Sequence, residues 1–427
     1  MNIAIVGGRV IDPGTGWDGV ATLYVKGAQI AGLAPPADFI ADRTIEAQGL
    51  VVCPGLIDMR ARLREPGLEH KGTVASEGRA ALAGGVTTLC CPPDTEPVLE
   101  HPTAVQWLIN RAREVAGPRV LPIGALTRGL SGGHLADMHA LHAAGCIGLG
   151  NAGAPIKDTA VLRHALEYAA GMDLLVFLTP EDPWLGAQGV VHEGRVSTRL
   201  GLAGIPESAE LIEIFRALAL IQETGARAHF CGISTARGAA LIADAKQRGL
   251  KITADTPIHQ LHATEDDIGV FDSNYHVRPP LRTVADRAAL RAAVAGGVID
   301  AVCSDHQPHE PDAKERPFSD SAPGIAGLET LLPLTLELAE GGDIGLVRAL
   351  AALTSGPAAA LGIAAGTLKP GGAADICLYD PAATWTLDLG SRQTQGCNNP
   401  FFGKTVRGQV VMTIKDGEIA YERGRAR

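Results

Sequence analysis

Three arginines alternate along one short segment of the chain, which reads Asp58-Met-Arg60-Ala-Arg62-Leu-Arg64. On a β-strand Arg60, Arg62 and Arg64 share one face, because side chains repeat that face every second residue. Three guanidiniums cannot line a dry core, so we expect this face to meet a polar cavity or a row of carboxylates. An exposed basic strand is the alternative.

A second candidate is the segment Val302-Cys-Ser-Asp-His-Gln-Pro-His309, where a strand-like run ends in an acid and two imidazoles. Asp305 could serve as a metal ligand or general base, and His309 could contact a substrate. A polar, hydrogen-bonded strand end with no catalytic role explains the same pattern equally well.

A glycine-rich segment, Gly148-Leu-Gly-Asn-Ala-Gly153, matches the GxGxxG pattern of dinucleotide-binding loops and precedes a predicted helix near Thr159 to Ala170. No acid closes a strand about 20 residues further on, as that fold requires. Because the chain has 52 glycines, we interpret the match as a glycine-rich connection between a strand and a helix.

Strands and helices alternate through the middle of the chain and must position these candidates. The run Arg227 to Ile233 predicts a strand, and Thr235 to Arg248 predicts a helix. Ser208 to Glu223 predicts another helix, with Ser208 as its N-cap and Gly225 just beyond its end. Such repeated units favour a parallel α/β fold, most simply a (β/α)8 TIM-type barrel, whose active sites lie at the carboxyl ends of the strands.

Both ends of the chain are rich in short β runs broken by Gly and Pro. We expect one β-sandwich domain built from residues 1–53 and 366–427, and a barrel built from residues 54–365.

Composition excludes several classes of function. The 427 residues include 37 Lys and Arg against 47 Asp and Glu, a formal charge of −10 that argues against general binding to nucleic acid. The eight cysteines are scattered without a CxxC pair, so we expect neither a disulfide scaffold nor a thiolate zinc site. We predict no signal peptide and no membrane-spanning segment, and therefore a cytoplasmic protein without a membrane partner.

Several motifs fall in a fixed order along the chain. They are Pro54-Gly-Leu-Ile-Asp, Arg64-Glu-Pro-Gly, Pro93-Asp-Thr-Glu-Pro, Gly201-Leu-Ala-Gly-Ile-Pro-Glu-Ser-Ala-Glu, Ser234-Thr, Arg278-Pro-Pro-Leu-Arg and Ser304-Asp-His-Gln-Pro-His. Together they resemble the long-chain (class I) dihydroorotases of the amidohydrolase superfamily. The resemblance implies a (β/α)8 barrel with a β-sandwich from both termini, and zinc at the barrel mouth in active members.

The resemblance also implies that the metal ligands are missing here. Both histidines of the family's Asp-x-His-x-His are Arg60 and Arg62, and Asp305 alone is retained. Because a guanidinium offers no lone pair, we expect no metal and no catalytic residue, with Asp305 and His309 as relics. We predict an ion pair between Asp305 and Arg60 or Arg62, since a buried carboxylate needs a counter-charge. The other replaced ligand positions are Ala152, Thr179 and Gly232.

Residues that the resemblance associates with substrate are partly changed. Asp94 and Arg278 each stand where the family has Asn, whereas Arg64 and His309 are kept. Alternatively, these arginines could form ion pairs with carboxylates of the chain itself, such as Asp58. A relic pocket for a small anion would comprise Arg60, Arg62, Arg64, Asp94, Arg278 and His309.

The resemblance therefore implies a pseudo-dihydroorotase that assists the assembly of aspartate carbamoyltransferase in pyrimidine biosynthesis by binding its catalytic chain. We also expect a homo-oligomer. Two alternatives stay open: an active cyclic amidohydrolase with a divergent or metal-free site, and a sensor of small anions.

Overall fold

The computed structural model describes residues 1–424, and its strands form two large sheets and a two-stranded ribbon. In chain order the strands are β1 (Asn2–Asp12), β2 (Trp17–Lys26), β3 (Gln29–Gly32), β4 (Arg43–Glu46), β5 (Val51–Pro54), β6 (Leu56–Asp58), β7 (Val86–Cys91), β8 (Arg119–Ala125), β9 (Gly148–Gly150), β10 (Leu175–Leu178), β11 (Val191–His192), β12 (Gly204–Ile205), β13 (Arg227–Phe230), β14 (Ile252–Pro257), β15 (Ala301–Cys303), β16 (Ile376–Thr386), β17 (Thr405–Lys415) and β18 (Glu418–Glu422). The α-helices are α1 (Val74–Ala83), α2 (Pro102–Glu114), α3 (Met138–Ala143), α4 (Thr159–Ala170), α5 (Arg195–Leu200), α6 (Glu207–Thr224), α7 (Ala236–Gln247), α8 (Val284–Ala295), α9 (Leu331–Glu340), α10 (Leu346–Ala351) and α11 (Ser355–Leu361).

Eight parallel strands form a barrel in the order β6, β7, β8, β9, β10, β13, β14, β15. Every residue of β7 is buried, as expected for a parallel strand covered on both faces. The ring closes just beyond β6 and β15, where Ala61 bridges His306. There Arg62 N–H donates to the His306 carbonyl at 2.9 Å, and His306 N–H donates to the Arg60 carbonyl at 3.2 Å. The predicted (β/α)8 barrel is confirmed. Its seam, the place where the ring closes, runs through residues 58–64, which are called the arginine segment below.

The second large sheet joins both ends of the chain. Its path is β18-β17-β16-β5-β1-β2-β3, and β4 pairs with β1. The sheet has its own apolar cluster, which includes Ile3, Leu23 and Ile376. The predicted β domain from both termini is therefore present. The expected boundaries stay predictions, and residues 425–427 of the 366–427 segment lie outside the described residues.

Helix α6 begins one residue earlier than predicted. It starts at Glu207 after Pro206, so the N-cap role expected of Ser208 is wrong, and Ser208 lies exposed on the helix surface. Gly225 ends the helix in the left-handed conformation, with φ at 70°, as predicted. Within residues 1–424, no helix is both long enough and apolar enough to cross a membrane.

The GxGxxG segment serves packing inside the barrel. Gly148 and Gly150 belong to β9, and a Cβ on Gly148 would lie 2.5 Å from the Leu175 carbonyl oxygen of β10. A Cβ on Gly150 would lie 3.0 Å from that of Phe177. The next helix begins only at Thr159, so no helix N-terminus adjoins these glycines as a phosphate-binding loop requires.

Candidate functional site

The arginine segment continues β6 along the barrel seam. Arg60, Arg62 and Arg64 are only 6%, 8% and 8% exposed, and the three apolar residues that alternate with them are fully buried. Beyond β6 the segment is not a regular strand, because of residues 59–64 only Ala61 forms a β-bridge and Arg64 has a φ of +66°. Arg60 and Arg62 nevertheless both reach Asp305, which confirms the expected row of carboxylate contacts for these two, and the alternative of an exposed basic strand is wrong.

Asp305 follows β15 across the seam and is 1% exposed. Its Oδ1 lies 2.8 Å from Arg60 Nε and 3.4 Å from Arg62 Nη1. Gln307 Nε2 also donates to this oxygen, at 3.2 Å. Pairing with two cations offsets the high cost of burying an ionised carboxylate. The ion pair predicted from the sequence is confirmed, and both arginines contribute to it.

Arg62 engages a partner through each of its side-chain nitrogens. Nε donates to Asp94 Oδ2 at 2.6 Å, Nη1 to Asp305 and Nη2 to the Ala152 carbonyl at 3.4 Å. Burial disfavours the cation, but Asp94 and Asp305 outweigh this effect and raise the pKa of Arg62 above its usual value. Each side-chain nitrogen of Arg62 is therefore held by an oxygen of the chain itself.

Arg64 differs from its two neighbours, because no carboxylate among residues 1–424 lies within ion-pair distance of it. Its Nε donates to the Pro308 carbonyl at 3.2 Å, and its Nη2 lies 3.2 Å from His309 Nε2. Burial and the charge of Arg62 lower the pKa of Arg64 to about 10. Burial and the charge of Arg64 lower the pKa of His309 to about 2, so its imidazole is neutral at pH 7.

The guanidinium of Arg60 fills the space above Gly232. The φ of Gly232 is +71°, and a Cβ built on it would lie 2.8 Å from Arg60 Nη2. Real Cβ atoms do not approach other heavy atoms so closely, so a larger residue does not fit there while Arg60 keeps its position. The resemblance places a histidine ligand at this position, and a side chain there would require the Arg60 guanidinium to move.

His259 lies in the turn after β14 and was not singled out by the sequence. Its side chain is buried, and neither of its ring nitrogens has a hydrogen-bond partner within residues 1–424. Burial lowers the pKa of His259 to about 4, and Arg60 adds to this effect while Asp305 opposes it. The position of His259 just after a strand is a local signal, whereas its electrostatic neighbours Arg60 and Asp305 become visible only in the folded chain.

The side chains at the implied ligand positions do not fit a catalytic zinc ion. Zinc usually takes about three protein ligands in such sites, and of the implied set only Asp305 offers a lone pair from a suitable side chain. Ala152 gives its carbonyl to Arg62, the half-buried Thr179 replaces a histidine, and Gly232 lies beneath Arg60. The guanidiniums also place positive charge beside the one retained carboxylate.

A second group of ligand-type side chains lies deeper in the barrel. His229, Cys231 and Asp255 each place a possible ligand atom within 4.8 Å of the others. Both ring nitrogens of His229 are engaged, Nδ1 with Thr253 Oγ1 at 2.8 Å and Nε2 with Asp255 Oδ2 at 3.0 Å. Burial raises the pKa of the Cys231 thiol, which keeps it protonated. We interpret this group as a hydrogen-bonded core pair beside a buried thiol.

Arg278, which the predicted anion pocket includes, pairs with a carboxylate away from the arginine segment. Its guanidinium pairs with Glu181, and its Nη2 donates to the Gly186 carbonyl at 2.9 Å. Arg278 therefore ties together two loops at the barrel mouth instead of joining the cluster around Asp305.

Asp58 ends β6 next to the arginines but forms no ion pair with them. Its Oδ1 accepts from Ser304 N–H at 3.1 Å and Arg60 N–H at 3.2 Å, and its Oδ2 contacts the Ser304 hydroxyl. Burial raises the pKa of Asp58 to about 7, and these hydrogen bonds offset only part of the effect. The expectation that Asp58 could neutralise an arginine through its side chain is wrong.

Comparisons with known sequences agree on one family for this chain. A family model described as dihydro-orotase-like matches residues 49–238. The chain is 50% identical over 422 residues to a dihydroorotase-like protein of Pseudomonas putida, covering 99% of each. It is 41% identical over 428 residues to a dihydroorotase of Geobacter sp. strain M21, covering 99% of this chain and all of the relative. The chain therefore belongs to the dihydroorotase-like family.

Solved structures support the fold. An L-hydantoinase from Arthrobacter aurescens superposes with a TM-score of 0.88, covering all of this chain and 97% of that one at 24% identity. A dihydropyrimidinase from Brevibacillus agri gives a TM-score of 0.83 at 21% identity, covering 98% of this chain and 95% of that one. At these identities the comparison shows a shared fold alone.

The raised pKa of Asp58 predicts a pH-dependent stability. Asp58→Asn keeps the Oδ1 acceptor and supplies an amide that can donate to Ser304. The pKa of Asp58 is 3.8 in the unfolded chain and about 7 in the folded chain. Its contribution to the free energy of unfolding is therefore fully present below pH 3.8 and is lost as the pH rises through 7. In urea titrations we expect the stability of the wild type to fall relative to the variant by about 2–3 kcal/mol between about pH 5 and about pH 8.5. A pH-independent difference would contradict this account.

The close approach of Arg60 to Gly232 predicts energetic coupling. Gly232→Ala adds backbone strain of about 1 kcal/mol at positive φ, together with the contact to Arg60. Arg60→Ala should relieve that contact, so we expect a coupling of about 0.5 kcal/mol or more in a double-mutant cycle measured by urea unfolding. Gly225→Ala is the matched control, because its φ is +70° and nothing lies within 4 Å of its Cβ. If the effect of Arg60→Ala on the free energy of unfolding adds to that of Gly232→Ala as fully as it adds to that of Gly225→Ala, the steric account is wrong.

Proposed function

We propose that this chain is a catalytically inactive dihydroorotase-like protein that acts as an assembly partner of aspartate carbamoyltransferase. The observation that carries the first half of the proposal is the position of Arg60 and Arg62 against Asp305, at 2.8 Å and 3.4 Å. These two arginines stand at implied zinc-ligand positions and neutralise the retained acid.

The chemistry of ring-amide hydrolysis supports inactivity. In active members, zinc supplies a nucleophile by lowering the pKa of a bound water to about 7. Here Asp305 is the retained acid, and its Oδ1 is engaged by two guanidiniums and Gln307. His309 is neutral and contacts Arg64, the Pro323 carbonyl and, through its backbone, Asn398. None of these residues is arranged to activate a water.

The assembly role rests on the resemblance. Members of the family that lack these ligands accompany bacterial aspartate carbamoyltransferase and support its catalytic trimers. A folded barrel with an internally neutralised centre still offers its outer surface to a partner. We accordingly propose a cytoplasmic complex with the catalytic chain of that transferase, in which this chain is also a homo-oligomer.

One observation favours the second candidate, a sensor of small anions. Arg64 is buried at the barrel mouth and pairs with no carboxylate within the described part of the chain, whereas Arg60, Arg62 and Arg278 are all paired. A bound carboxylate would supply the counter-charge that Arg64 lacks. Calorimetric titrations with carbamoyl aspartate, orotate and a nucleotide test this candidate. Saturable binding of one of them supports it, and no saturable binding of any of the three contradicts it.

Metal content and turnover test the inactive half of the proposal. We expect the purified chain to contain substoichiometric zinc and to show no turnover of dihydroorotate or carbamoyl aspartate, because the ligand positions carry guanidiniums. The Geobacter dihydroorotase, purified and assayed in parallel, is the positive control. Stoichiometric zinc that is lost in Asp305→Asn, together with turnover, would instead establish an active amidohydrolase with a divergent site.

Co-expression with the aspartate carbamoyltransferase of the same organism tests the other half. We expect the two chains to co-elute in one complex, and the transferase to lose its full assembly and part of its activity when expressed alone. Sizing chromatography with an activity assay measures both effects. Full assembly of the transferase alone, with no co-elution, would refute the partner role.

A further inference from the structure

The connection between β16 and β17 leaves the terminal sheet and crosses to the mouth of the barrel. Its residues 393–399 are called the mouth strap below. Asn398 is fully buried there, and its Nδ2 donates to two backbone carbonyls of the mouth at 2.8 and 2.9 Å. Its Oδ1 accepts from His309 N–H at 2.7 Å, and Cys397 N–H donates to the His309 carbonyl at 2.9 Å. The strap therefore holds the backbone of His309, whose ring contacts Arg64.

Two buried carboxylates of the barrel clamp the other end of the mouth strap. Glu77 on α1 accepts from Gln395 N–H at 3.0 Å and from the Thr394 hydroxyl. Glu329, in the turn before α9, accepts from Thr394 N–H at 3.0 Å. Gln393 N–H lies 3.0 and 3.1 Å from the two oxygens of Glu329. Two acids thus hold three consecutive residues of the strap.

The two carboxylates differ in what else surrounds them. His306 Nε2 lies 2.8 Å from Glu77 Oε2. Burial disfavours the ionised form of Glu77, but His306 and the hydroxyls of Thr394 and Ser76 outweigh this effect and lower the pKa of Glu77. Within residues 1–424, by contrast, Glu329 accepts hydrogen bonds from backbone N–H groups alone and forms no ion pair.

Glu329 is consequently the group of the clamp that titrates near neutral pH. Burial raises its pKa from 4.5 to about 7, and the backbone N–H groups offset only part of the effect. The charge of Glu77 raises this pKa further, whereas Arg392 lowers it. Tyr421 of β18 also faces Glu329, and burial raises the pKa of that phenol above its ordinary value, so it is uncharged near neutral pH.

We propose that the mouth strap is a pH-sensitive latch, which protonated Glu329 holds closed and ionised Glu329 releases. Protonation at Oε1 leaves Oε2, which both strap N–H groups reach. Ionised Glu329 is instead a buried charge without a paired cation in the described part of the chain, and release of the strap lowers its cost by exposing it to water.

The direction of the effect follows from the raised pKa of Glu329 in the closed strap. The contribution of Glu329 to the free energy of closure is fully present below pH 4.5 and is lost as the pH rises through 7. Release frees the backbone of His309 at the barrel mouth. The inference does not rest on the proposed function, because the clamp lies outside the arginine segment and works alike around an active or an inactive centre.

Hydrogen–deuterium exchange of the full chain tests the latch. Between about pH 5.5 and about pH 8 we expect the protection of the strap amides, corrected for intrinsic exchange, to fall about 30-fold in the wild type. The strap should also be less protected than β7 at both pH values, because its release is local and leaves the barrel folded.

Three variants assign the effect to Glu329. Glu329→Gln cannot ionise but keeps an acceptor oxygen, so its strap should be equally protected at both pH values. Glu340→Gln is the matched control, because Glu340 is exposed on α9 and the same change there should leave the wild-type response intact. Asp58→Asn should also keep that response, because release of the strap does not expose Asp58, which likewise has a pKa of about 7.

The wild type alone can overturn the inference, if its strap is equally protected at both pH values or is protected as strongly as β7. A loss of protection that persists in Glu329→Gln would overturn it as well. If that variant fails to fold, Asn398→Ala replaces it. Asn398→Ala removes the other anchor and keeps Glu329, so it should lower the protection at both pH values and retain the pH response. Absence of that response in Asn398→Ala would contradict the latch.

Discussion

The structure depends on a carboxylate that is buried where the barrel closes. Asp305 is 1% exposed, and an isolated ionised group at such depth would cost several kcal/mol. Its counter-charges come from Arg60 and Arg62, the same residues whose backbones hydrogen-bond to His306 and close the seam. The residues that neutralise Asp305 are therefore also the residues that close the barrel.

The cluster divides the barrel mouth into a neutralised part and a cationic part. Arg62 is held between Asp94 and Asp305, so the centre of the mouth has its charges satisfied internally. Among residues 1–424, the hydrogen-bond contacts of the Arg64 guanidinium are a carbonyl and a neutral imidazole, and burial lowers the pKa of Arg64. The arginine without a carboxylate in ion-pair distance in this part of the chain therefore lies at the rim, whereas Arg60 and Arg62 carry their guanidiniums at implied zinc-ligand positions.

Local patterns predicted the features that depend on local rules. The barrel followed from alternating strands and helices, and the ion pair at Asp305 from the cost of burying a charge. The two-residue period placed Arg60 and Arg62 on one side, but Arg64 departs from an extended backbone with a φ of +66°. The N-cap at Ser208 was wrong because the helix begins one residue earlier, after Pro206. The partner of Arg278 is Glu181, 97 residues earlier, and only the packing of two loops brings them together. The same limit applies to Asp58, whose pKa follows from complete burial that no short pattern reveals.

The contact between Arg60 and Gly232 has a consequence for how such a centre could change over generations. With the guanidinium in place, a histidine at position 232 requires Arg60 to move, whereas removing the guanidinium takes the nearest cation from Asp305. The effect of a change at either position therefore depends on the residue at the other. This epistasis between positions 60 and 232 arises from packing and charge together.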